Sequence, residues 1–145
     1  MARASYPYAS IPLPPNEAHP QGTTAFRPLA SATLTATNGQ SIRSMVLPDS
    51  GADACLFPLS LAILLKLDVL KLPKALTGGV GSQANVTYYD TIAIDLGSGI
   101  AFTAYSGFTN GVDSIGLGLL GQAGFFEQFR VEFQHKQKVF TIESA

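Results

Sequence analysis

The chain reads as mainly β, closed and barrel-like, with one or two short helices. Three observations carry that reading. Ile92, Ile94 and Leu96 alternate with Ala93 and Asp95, and Ile100, Phe102 and Ala104 alternate with Ala101, Thr103 and Tyr105, the period of half-buried strands. Asn38-Gly39 and Gly97-Ser98-Gly99 punctuate strand-like runs with residues that hairpin turns favour. Apolar residues at helical spacing are confined to 58–67 and 124–129. Strands that outnumber helices to this degree hide their edges best by closing.

A length of 145 residues fits one domain. With 46% of residues apolar and 13% charged, the chain has ample core material and little surface charge for a monomer, which favours burial between subunits. A net charge of −1 without a Lys/Arg cluster gives no electrostatic footprint for nucleic acid or anionic membrane, and neither is expected as a partner. Cys55 is the single cysteine and the two histidines are scattered, so no intrachain disulfide, metal or cofactor is expected. The longest apolar run, 61–65, is too short to span a bilayer, and no signal-type apolar stretch opens the chain; a cytoplasmic, reducing setting is the default expectation.

Taken in order, residues 1–22 hold Pro7, Pro12, Pro14, Pro15 and Pro20, a composition expected to give a flexible tether unless it docks, leaving 23–145 as the folded domain. Residues 29–37 and 41–47 form a hairpin about the two-residue turn Asn38-Gly39, which delivers the chain to Asp49. Pro58 suits the first turn of a helix through about Leu67; that helix is apolar nearly all round apart from Ser60 and Lys66, and is expected to be well buried. Residues 70–76 connect to a segment with glycine at 78, 79 and 81, where backbone must bend sharply or approach a ligand. A phosphate cradle is the rival there, but neither Lys-Ser/Thr nor a helix start follows, and 85–96 reads as a strand, so a hairpin tip is preferred. The loop 109–116 has no periodicity. Phe125, Phe126 and Phe129 would pack one face of a short helix over 124–129, and Val131, Phe133, Val139, Phe140 and Ile142 make a closing hairpin around His135-Lys136.

Asp49 is the residue that asks for a reason. It lies between apolar segments 45–47 and 55–57, and a carboxylate in such a place either closes an Asx-type turn or performs acid/base chemistry. The run Asp49-Ser50-Gly51-Ala52-Asp53 resembles the active-site loop of the retropepsin-like aspartic proteases, the family that includes the retroviral proteases. Two further segments match in order: Thr77-Gly78-Gly79-Val80-Gly81-Ser82 is similar to that family's flap, and Leu119-Leu120-Gly121 to its apolar-apolar-glycine segment. The resemblance covers about residues 24–143.

That resemblance implies a retropepsin-like barrel, an aspartic endopeptidase active as a two-fold homodimer, with peptide or protein as substrate and no cofactor. Asp49 would be catalytic, with Ser50 and Gly51 fixing the loop; Ala52, Asp53, Leu56, Leu119 and the flap residues Gly78, Gly79, Val80 and Gly81 would contact substrate. Two positions depart from the pattern. Pro48 stands where an aliphatic residue is usual, and Gln122 stands where many members carry an arginine that pairs with the aspartate matching Asp53. Tyr6-Pro7 resembles a bond type that retroviral proteases cut, which would make it a self-cleavage site, against a plain linker. Two readings compete with the enzyme: a retropepsin-like domain that dimerises or binds peptides without cutting them, and a purely structural barrel.

Overall fold

Backbone pairing follows the alternating apolar pattern. The computed structural model describes residues 2–77, 85–113 and 116–145. Six strands close into a barrel: β4 (Ala30–Thr35), β5 (Ser41–Pro48), β10 (Gly118–Leu120), β6 (Leu56–Pro58), β9 (Ala101–Thr109) and β8 (Asn85–Asp95) are neighbours in that order, and β8 pairs back onto β4. β7 (Lys74–Thr77) extends the sheet beyond β8. The inward residues expected from the alternation, Ile92, Ile94 and Ile100, are fully buried, together with Leu34, Val46, Phe57, Phe108 and Leu120. Phe102, Phe125 and Phe129 cluster with centroids 5.4 to 5.5 Å apart, Phe125 stacked on Phe129 and Phe102 edge-on to Phe129. Burying each such ring stabilises the fold by roughly 1.5–3 kcal/mol.

The turns explain themselves locally. Ala36 and Gln40 close the first hairpin, Gly39 N–H donates to Ala36 O at 2.9 Å, and Gly39 takes φ +86°. The loop is therefore three residues, Thr37 to Gly39, with glycine in the left-handed position, where the sequence pointed to a two-residue turn. Asn38 also donates from Nδ2 to Leu65 O at 3.0 Å, tying the hairpin tip to the helix.

Four expectations are revised. The proline-rich segment docks: β1 (Arg3–Pro7) pairs with β12 (Val139–Ser144), which pairs with β11 (Phe129–Gln134), while β2 (Ala9–Leu13) pairs with β3 (Thr23–Arg27). Pro7 stands at the end of β1 and Pro12 in a two-stranded ribbon, places where a missing N–H is tolerated. Because β1 is laddered to β12 and Tyr6 stacks on Phe140 at 5.3 Å, cutting Tyr6–Pro7 requires β1 to leave its sheet. The helix is shorter, α1 (Leu59–Leu64), with Pro58 as the residue before it. It is also less buried: Ala62 is covered, but Ile63 and Leu64 are 67% and 61% exposed, because six residues present just one face to the barrel. Residues 124–128 are turns and not a helix; Phe126 and Glu127 N–H reach back five residues to Gly121 and Gln122, and Gly124 sits at φ +92°. Among the described residues no helix is long and apolar enough to cross a membrane.

Candidate active site

The loop carrying Asp49 does not close a hairpin. β5 leads into it and β6 leads out, yet the two are not neighbours: β10 lies between them, parallel to β5 and antiparallel to β6. The loop must therefore pass over the end of β10, and backbone bonds tie it there. Asp49 N–H donates to Leu120 O (2.9 Å), Gln122 N–H to Ala52 O (2.8 Å) and Ala123 N–H to Asp53 O (2.9 Å). Gly121 is required by this crossing. A Cβ at 121 would sit 2.1 Å from Ala54 O and 2.7 Å from Ala52 O, backbone atoms with nowhere to go.

Within the loop, Asp49 Oδ1 accepts from Gly51 N–H at 2.9 Å, and Ala52 N–H donates to Asp49 O at 3.1 Å. The Asx-type turn is present, but it spends one carboxylate oxygen; among the described residues the other accepts no hydrogen bond. Asp49 is half-buried, Ser50, Gly51 and Asp53 are exposed, and Ala52 is buried. The loop thus holds a carboxylate in a fixed orientation at an open face. Leu56 and Leu119 are half-buried and directly paired across β6 and β10 beside it. The predicted substrate-contacting residues Gly78, Gly79, Val80 and Gly81 lie outside the described residues.

Both departures have a local explanation. Pro48 pairs with Leu120 in the parallel ladder, but the N–H bond to β10 at this point comes from Asp49, and the register with β4 has already ended at Ala30 opposite Val46. The missing donor therefore costs no ladder bond, and the proline lies buried beneath the loop. Gln122 turns its side chain to the loop itself: Nε2 donates to Ser50 O at 2.8 Å. The amide thus braces the Asp49 turn in place of engaging Asp53.

Cys55, at the foot of the loop, is fully buried, and burial pushes its thiol up to about 11 despite a backbone hydrogen bond from Gly121. It is a packing residue, as its apolar setting indicated.

Sequence reasoning missed Tyr89. In register, Leu56 of β6, Gly107 of β9 and Tyr89 of β8 lie side by side across three strands. The signal was present: a glycine inside a strand marks close approach of another group, and a Cβ at 107 would lie 2.9 Å from Leu56 Cδ2 and 3.2 Å from Tyr89 Cε1. The Tyr89 hydroxyl is held protonated above its ordinary range by burial, by Tyr105 and by the charge of Asp53.

No family model matches the chain, and no curated protein matches it. Among solved structures, the chain is similar to a retropepsin-like aspartic protease from Rickettsia conorii, at 19% identity and a TM-score of 0.54, over 92% of this chain and 98% of that one. At that identity the likeness establishes the fold: a retropepsin-like β-barrel.

Proposed function

We propose that the chain is an aspartic endopeptidase whose site is completed by a second copy of itself. The observation that carries this reading is the Asp49 loop: a half-buried carboxylate with one oxygen fixed by Gly51 N–H, on a retropepsin-like barrel. Each chain supplies one such carboxylate. Aspartic-type hydrolysis needs two within reach of one another, because two charges that close cannot both persist and so share one proton. Two-fold symmetry is the simplest way to bring two copies of Asp49 together.

In the dimer, the ionised carboxylate takes a proton from a water, whose oxygen attacks the scissile carbonyl carbon, and the protonated carboxyl gives its proton to the carbonyl oxygen. Collapse breaks the C–N bond as the amine nitrogen takes a proton. Ser50 would bond across the axis, and its exposure in the single chain leaves it available to do so. Substrate would lie as an extended strand, its main chain reaching Asp53 and its side chains resting on Leu56 and Leu119. Residues Gly78, Gly79, Val80 and Gly81 would close over it as a flap.

Replacing Asp49 by Asn preserves shape and removes the acid/base group. Peptide cleavage by the purified chain at mildly acidic pH should fall by at least about a thousandfold in Asp49→Asn, in line with loss of an acid/base group plus its partner's proton. Unchanged cleavage would assign the reaction elsewhere. A folded wild-type chain that binds peptides and cuts none would establish the non-cutting, peptide-binding alternative.

A further inference from the structure

The outer wall of the barrel carries a hollow of about 450 Å³ that the Asp49 loop does not line. Strand register places its lining. Thr33 of β4, Asp95 of β8 and Ala101 of β9 make one row across three strands, and Thr35, Ala93 and Thr103 make the next. Residues directly opposite share a face; all six are half-buried or exposed, while Leu34, Ile94 and Phe102 between them belong to the core. The small side chains at 93 and 101 leave the space open. Its polar groups are only partly engaged. Asp95 Oδ1 accepts from Gly97 N–H at 2.8 Å, and the Thr35 and Ser41 hydroxyl oxygens lie 2.8 Å apart. Among the described residues the other Asp95 oxygen and the hydroxyls of Thr33 and Thr103 have no hydrogen-bond partner in the protein. Tyr105, two residues beyond Thr103 on the same face of β9, is 54% exposed. Arg43, opposite Thr33, precedes Asp49 by six residues, so the hollow lies about 20 Å along the strand from the Asp49 loop.

These groups define the ligand by exclusion and by fit. No cation lines the hollow, so an anion would meet Asp95 unopposed, and a metal ion would lack a second carboxylate. β4 and β8 are laddered on both sides here, so a peptide main chain finds no free N–H or C=O on them. A purely apolar ligand would strip water from Asp95 and two hydroxyls without replacing it. A neutral sugar meets every demand. Its hydroxyls donate to the carboxylate and exchange bonds with threonine hydroxyls, which both donate and accept. The C–H groups of its ring rest on Ala93, Ala101 and the exposed ring of Tyr105. The volume lies within the range of about 300–1,000 Å³ usual for small-ligand sites. We propose that this hollow binds a neutral sugar of about one or two rings, with Asp95 accepting from its hydroxyls. The proposal is independent of the reading of Asp49 as catalytic.

The test titrates the isotope-labelled full chain with glucose, galactose, mannose, maltose and lactose, following backbone amides by NMR. At least one sugar should give saturable shifts confined to residues 33–35, 93–95 and 101–105. Asp95→Asn keeps an oxygen for Gly97 N–H and should weaken binding of that sugar about tenfold, the scale of a hydrogen bond to a charged group. Tyr105→Ala should weaken it about threefold. Ala93→Leu fills the hollow and should abolish binding, with a melting temperature close to that of wild type because the position faces outward. No saturable shift with any of the five sugars, shifts scattered over the surface, or binding that survives Ala93→Leu would overturn the proposal. So would an affinity unchanged in folded Asp95→Asn, or tighter binding of glucuronate or glucosamine than of glucose, which would make the hollow a site for charge.

Discussion

Two glycines show how differently one residue type serves this fold. Gly39 has open space around it and needs glycine for its φ of +86°, whereas Gly121 needs it for room, with Ala54 O 2.1 Å from where a Cβ would be. Gly39→Ala should therefore cost about 1 kcal/mol. Gly121→Ala should cost at least about 2 kcal/mol and displace the Asp49 loop. Urea unfolding of both variants checks the ordering, and equal costs would mean that the loop yields more readily than its backbone contacts imply. Cys55 makes a complementary prediction. With its thiol raised to about 11 by burial, the folded chain should resist alkylation at pH 8 and react once denatured. Rapid labelling of the native protein would show that the loop opens.

At the level of elements, hairpins were legible and their surroundings were not. Alternation placed β8 and β9 and their buried faces, because a strand's period is fixed by its own backbone. The docking of β1 was hidden because a proline-rich composition describes the cost of pairing, and not the partner: β12 offers Thr141 and Phe140, and Ser5 Oγ meets Thr141 Oγ1 at 2.9 Å. The exposure of α1 was hidden for the opposite reason, since an all-round apolar pattern tells what a helix would bury but not whether the barrel has room for it. In the candidate site, the Asx-type turn at Asp49 was legible from the tripeptide and its flanks; the brace from Gln122 and the seat of Tyr89 on Gly107 required the register between strands distant in sequence. The sheet of β1, β12 and β11 carries its own prediction. Glu143 bonds Arg130 at 2.6 and 2.9 Å and lies 3.4 Å from Arg3, one cation on each flanking strand. These contacts, the Arg130 hydrogen bond foremost, hold its carboxyl below the usual range. A lowered folded value means that the contribution is present above the ordinary carboxylate range and fades as pH falls through the lowered value. Melting temperature followed from pH 7 to pH 2 should drop less steeply in Glu143→Gln than in wild type, and parallel curves would show that solvent screens the cluster out.

For the whole molecule, the retropepsin-like barrel is established, and its consequence for chemistry turns on assembly. One chain presents one carboxylate of the required kind, so the proposed reaction exists only in a pair. That claim is tested most directly by mixing wild-type chain with Asp49→Asn chain at constant total concentration, allowing subunits to exchange, and measuring peptide cleavage against the wild-type fraction. A site built from two Asp49 carboxylates predicts that cleavage falls as the square of that fraction, because mixed pairs are inactive. A fall in simple proportion would mean that each chain cuts with its own residues, and would contradict the shared site.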